Sequence, residues 1–158
     1  MKLPGKYKTI YIASDHAGFR LKSFIIEEYL AKKKFNFFDL GTNSDKSVDY
    51  PDYGIKVAQA IIDKKIVRGI LICGTGVGMS IVVNRFPGIR GTLCSDVYTA
   101  KMCREHNDSN VLIMGGRVIG VSLAMEILDI WLNTEFEGGR HQRRLDKIKE
   151  IDANLKTK

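Results

Sequence analysis

The chain has 158 residues, 44% hydrophobic and 27% charged, which suits one soluble globular domain with a proper core and excludes a low-complexity or disordered polymer. No apolar run reaches the length of a membrane span, and Met1 to Lys8 lacks the apolar stretch of a signal peptide. A net charge of +7 is compatible with nucleic acid, but the basic residues are spread out and only modestly dense from Arg140 to Lys158, so phosphorylated small molecules or a basic solvated surface fit better. The three cysteines form no C-x-x-C pair and leave an odd number, which points to reduced thiols in a cytoplasmic setting.

In chain order, Thr9 to Ser14 reads as a first strand, closed by Asp15-His16-Ala17-Gly18. A helix is expected from Phe19 to Lys34, with Leu21, Phe24, Ile25 and Tyr29 on one face. Phe35 to Leu40 is a second strand, Thr42 to Asp52 the longest loop, and Tyr53 to Lys64 a helix burying Val57 and Ile61. The third strand ends at Cys73, and a helix starts near Met79. A fourth strand spans Arg90 to Ser95, followed by a helix from Val97 to Glu105 and a fifth strand from Asn110 to Met114. Two more helices, Val121 to Leu132 and His141 to Leu155, complete the chain. Strand and helix alternate five times over short connections, so the expected fold is α/β: a three-layer α/β/α sandwich around a five-stranded parallel sheet. No repeat or linker divides residues 1–158 into two domains; 1–8 reads as an extension.

Ligands of such folds sit beyond the carboxyl ends of the strands. Asp15-His16, Cys73-Gly74, Ser95-Asp96 and Gly115-Gly116-Arg117 all follow strands and should gather on one edge. The stretch Cys73-Gly74-Thr75-Gly76-Val77-Gly78 combines the end of a buried strand, a tight glycine turn and a helix start. Such a turn aims backbone N–H groups and the positive end of a helix at whatever lies beside it, and that field favours a thiolate at Cys73. The spacing is neither G-x-G-x-x-G nor a P-loop.

Each candidate has a structural alternative. Cys73 can be a small buried hydrophobe, though its place before the turn favours a functional thiol; Cys94 and Cys103 lack that setting and read as packing residues. Asp15-His16 serves equally as a helix cap or in proton transfer and ligand binding. His106 ends a helix, where a histidine meets the negative dipole end whether or not it is catalytic. Arg140 and Arg144 share a helix face, as a solvated pair or as a phosphate clamp. His16, His106 and His141 are far apart in sequence, so no metal cluster is expected.

Together these segments resemble the type B ribose-5-phosphate isomerases, a group that includes galactose-6-phosphate and allose-6-phosphate isomerases. The matching stretches are Ser14-Asp15-His16-Ala17-Gly18, Asp49-Tyr50-Pro51, Cys73 to Gly78, Asn84 to Arg90, Arg104-Glu105-His106-Asn107-Asp108, Gly115-Gly116-Arg117-Val118 and Glu137-Gly138-Gly139-Arg140-His141. The resemblance runs from about residue 9 to residue 153. It implies a Rossmann-like fold and aldose–ketose isomerisation of a phosphorylated pentose with no metal and no organic cofactor. It further implies a homodimer or dimer of dimers with active sites shared between subunits. Carried over by position, Cys73 is the base moving a proton between C1 and C2, and Thr75 lies with it in the catalytic turn. Gly74, Thr75, Gly76, Val77 and Gly78 offer N–H groups to the enediolate. His106 assists ring opening with Asp15 on the sugar hydroxyls; Tyr50 and Asn107 contact the sugar; His16, Arg117, Arg140 and Arg144 hold the phosphate. Some members use a Glu within the turn instead of the cysteine; Val77 stands there, which places this chain in the thiol-using branch.

Three other readings compete: a six-carbon sugar phosphate as substrate, a catalytically silent sugar-phosphate or nucleotide binding module, and nucleic-acid binding driven by charge. Intact Cys73, His106 and paired arginines oppose the second, and the missing basic-aromatic interleaving opposes the third. The stripe Leu145, Ile148, Ile151 and Leu155 suits either a partner subunit or the chain's own sheet.

Overall fold

A computed structural model describes residues 9–64 and 68–156. Its five strands are β1 Thr9–Ser14, β2 Asn36–Asp39, β3 Arg68–Cys73, β4 Gly91–Leu93 and β5 Val111–Gly115. They form one all-parallel sheet in the order β2-β1-β3-β5-β4. All six residues of β3 are buried, as a central strand covered on both faces must be, so after Arg68 its sequence is a continuous apolar run rather than an alternation. The helices are α1 Phe19–Ile25, running on into a π-helical turn Ile26–Ala31, then α2 Tyr50–Lys64, α3 Val77–Val83, α4 Val97–Asn107, α5 Val121–Asn133 and α6 Arg140–Lys156.

Alternate strand residues face opposite layers. Ile10, Ile12, Ile70, Ile72, Leu112 and Met114 pack beneath α1, α4 and α5, with Trp131 fully buried among them. Tyr11, Ala13, Leu71, Cys73, Val111 and Ile113 pack beneath α2 and α3. Each fully buried Ile, Leu, Val or Met among them contributes about 1.5–3 kcal/mol of transfer free energy. This is the three-layer sandwich expected from the sequence. The strand order reverses between β1 and β3, and a crevice opens beyond their carboxyl ends at such a reversal.

Several boundaries differ from expectation. α2 begins at Tyr50 rather than Tyr53, because a proline in the first helical turn loses no hydrogen bond there; the loop before it is correspondingly shorter. β4 has only three residues, although Cys94 N–H still donates to Ile113 O. α4 extends through His106 and Asn107 and is ended by Asp108 in the left-handed region, φ 45°. The helix after β1 widens at Ile26–Ala31, where Tyr29 and Leu30, adjacent in sequence, are both buried. In α6 Leu145 is buried, but Ile148, Ile151 and Leu155 are 48%, 57% and 69% exposed, so that stripe does not pack on the chain's own sheet. Met1 to Lys8 lie outside the described residues. Among the described residues no helix is long and apolar enough to cross a membrane.

Candidate active site

The carboxyl edge of β1, β3 and β5 carries the first group of candidate residues. Asp15 Oδ1 accepts the N–H groups of Ala17 and Gly18, both at 3.0 Å, so this carboxylate shapes the turn that leads into α1, whose N-cap is Gly18 with no side-chain cap. His16 Nδ1 accepts the N–H of Val48 at 3.2 Å. That bond leaves the neutral ring's proton on Nε2, which sets the tautomer presented to a ligand. Gly18 is required here, since a Cβ would sit 2.5 Å from Ile72 O.

Cys73 is 4% exposed, and Gly76 N–H donates to its sulfur at 3.2 Å. The turn folds back on the thiol because Gly76 has φ +81°, a conformation that costs L side chains energy. Val77 N–H is held by Thr75 Oγ1 at 3.3 Å. Two of the expected oxyanion donors are therefore engaged within the turn. The Tyr50 ring lies against the turn, 2.7 Å from where a Cβ on Gly78 would stand. Gly116 N–H donates to Cys73 O at 2.8 Å and Arg117 N–H to Gly74 O at 3.0 Å, which ties the β5 turn to the β3 turn and brings Arg117 beside Gly74.

Next to these turns is a cleft of about 370 Å³ lined by His16, Ala17, Arg20, Asp45, Gly116 and Arg117, together with Leu21. His16, Arg20 and Arg117 line it together with the Asp45 carboxylate, and the two arginines and the histidine are residue types that suit a phosphate or carboxylate. The sequence reading missed Arg20 and Asp45. Arg20 was accessible to it, being in the first turn of the helix that follows Asp15-His16; Asp45 comes from a loop with no local signal.

The second group lies elsewhere. β3 and β5 run in register from Gly69↔Val111 to Cys73↔Gly115, and α4 ends four residues before Val111. His106 and Asn107 thus stand at the amino edge of the sheet and Cys73 at the carboxyl edge, separated by a strand length of roughly 13 Å. The rings of His106 and His141 are stacked, 4.2 Å between centroids. Arg140 Nε donates to His141 Nε2 at 3.3 Å, and Glu137 Oε2 is 3.4 Å from the same nitrogen. His141 is buried, and its pKa is lowered from the ordinary histidine value, first by desolvation and then by the charges of His106 and Arg140, with a smaller contribution from Arg144. Separation in sequence argued against a ligand cluster, but two of the histidines and a carboxylate meet at α4 and α6. The signal was present in part, since Glu137 and His141 are four apart.

Arg104, also missed as a site residue, holds this corner. It is 2% exposed and binds Asp108 at 2.9 Å, Thr134 O at 3.3 Å and Ser109 O, with its guanidinium over the Trp131 ring. Arg90 adds bonds to Asn107 O and Asp108. Cys94 and Cys103 lie in the core layer against α5, as packing residues.

The family model described as Ribose/Galactose Isomerase matches residues 10–148. Ribose-5-phosphate isomerase B of Escherichia coli is 47% identical over 145 residues, covering 92% of this chain and 97% of its own length. The structure of ribose-5-phosphate isomerase B from Clostridium thermocellum superposes with a TM-score of 0.90 at 50% identity, covering 93% and 99% of the two chains. That of the Mycoplasma genitalium enzyme with bound ribulose-5-phosphate gives 0.87 at 44% identity, covering 92% and 96%. The chain belongs to the ribose/galactose isomerase family.

Proposed function

We infer that the protein interconverts ribose 5-phosphate and ribulose 5-phosphate, an aldose–ketose isomerisation of the non-oxidative pentose phosphate route, with Cys73 as the base. The observation that carries this is the likeness, at 44% identity over 92% of the chain, to an enzyme solved with ribulose-5-phosphate bound. In the aldose-to-ketose direction Cys73 Sγ takes the proton from C2 and returns it to C1, while a proton passes from the C2 hydroxyl to O1. The enediolate between these steps is stabilised by turn N–H groups beside the thiol. The phosphate sits among His16, Arg20 and Arg117, and its remote binding energy orients the reacting carbons.

His106 opens the furanose ring, and it reaches Cys73 from a second copy of the chain. The support is topological: one chain holds the two residues at opposite edges of its sheet. The exposed face of α6 (Ile148, Ile151 and Leu155) supplies apolar surface for such an association. The working unit is a homodimer, or a dimer of dimers, with Arg140 and Arg144 crossing with His106. Three free, buried thiols fit a reducing cytoplasmic compartment.

Ketose formation from ribose 5-phosphate, with allose 6-phosphate and galactose 6-phosphate alongside, tests the reading. Pentose turnover is the expected result. Turnover of a hexose phosphate alone replaces the substrate, and silence on all three with folded protein overturns the activity.

A further inference from the structure

We propose that His106, Glu137 and His141 form a binding site for a divalent transition-metal ion of the zinc type, one that takes His106 out of use rather than serving the reaction. The ligating atoms of the three residues all lie within 4.8 Å of one another. Tetrahedral zinc holds N and O donors at about 2.0–2.2 Å, which sets donor atoms roughly 3.4 Å apart. Glu137 Oε2 and His141 Nε2 already have that spacing, 3.4 Å. Of the three ligands only His106 has to move: its ring, parallel to His141 within 9°, turns until its lone pair meets the same point. It is half-buried.

The frame is fixed beforehand. Glu137 N–H donates to Glu105 O at 3.1 Å and His141 N–H to Gly138 O at 3.0 Å, so the loop entering α6 is bound to the end of α4. His141 Nε2 faces both an arginine N–H and a carboxylate oxygen. A neutral imidazole nitrogen presents either a proton or a lone pair. With a proton it meets the Arg140 donor badly; with a lone pair it meets the Glu137 carboxylate badly. A cation between Nε2 and Oε2 satisfies both lone pairs, and Arg140, on the exposed surface, turns away. Arg140 and Arg144 repel a cation, so the site is weaker than a structural zinc centre.

The test uses the full-length, chelator-treated protein with Co2+ or Zn2+ alone. Expected are one ion per chain by calorimetry, a tetrahedral Co2+ visible spectrum without sulfur charge transfer, and affinity reduced on the order of tenfold or more in Glu137→Gln. Unchanged uptake by Cys73→Ser is expected as well. No uptake, or uptake indifferent to Glu137→Gln, or uptake lost in Cys73→Ser, overturns the site. These arms do not depend on the isomerase reading. The consequence for His106 does: with that activity in hand, Zn2+ should abolish turnover reversibly, while the metal-free enzyme is fully active. Full turnover with the site loaded overturns the claim that His106 is withdrawn.

Discussion

His106 and His141 stack face to face, 4.2 Å apart and 9° from parallel, although 35 positions separate them in the chain. The contact joins the last turn of α4 to the first turn of α6. It brings the histidine assigned to ring opening into one cluster with Arg140 and Arg144, at the edge of the sheet far from Cys73.

That separation makes a mixing experiment decisive. If the proposed dimer shares its sites, Cys73→Ala and His106→Asn chains should each be inactive alone. Co-refolded in equal amounts, half of the dimers are mixed, and each mixed dimer has one of its two sites intact, so activity should recover to about one quarter of wild type. No recovery, in dimers shown to be mixed, would mean that each site is built within one chain.

Cys73→Ala should retain the fold and lose turnover by about 10²–10⁴-fold, the contribution of a positioned base. Circular dichroism and kcat on ribose 5-phosphate check this. A kcat near wild type would remove the thiol from the mechanism.

Gly76→Ala should cost stability and activity together. The left-handed backbone at φ +81° opposes any Cβ, and this one would collide with Leu93 Cδ1; about 1–3 kcal/mol is expected. Urea unfolding measures the loss, and kcat should fall because Gly76 N–H orients the Cys73 sulfur.

His141 has a lowered pKa in the folded chain. Below its unfolded value, about 6.5, the unfolded chain binds the proton more readily than the folded one. The stability from neutral His141 is therefore complete above that pH and lost as pH falls below it. The stability difference between wild type and His141→Gln should narrow or reverse toward acid. Inorganic phosphate, by offsetting the charges of Arg140 and Arg144, should raise the pKa of His141 in an NMR titration; an unmoved pKa would place phosphate away from this cluster.

The local parts of this molecule were legible in its sequence. The apolar run into Cys73 and the glycines after it specify strand, turn and helix through nearest neighbours, and the structure has them within a few residues. Arg117 next to Gly74 was also foreseeable, since both follow parallel strands. The α2 start was misjudged because Pro51 reads as a breaker yet fits a first turn. The histidine cluster depended on where α6 docks, and α6, basic and apolar along one stripe, carries no instruction about which surface receives it. The opposite placement of His106 and Cys73 was implied all along: a helix leaving the carboxyl edge of one parallel strand must return to the amino edge before the next.

Trp131 is the chain's single tryptophan. Its indole is fully buried, has the guanidiniums of Arg68 and Arg104 over its rings, and donates to Ser109 Oγ. Arg104 is also the clamp on the α4 end that carries His106. One fluorophore thus sits against the clamp of that corner. Its emission, without any label, should report events that shift Arg104 and the end of α4.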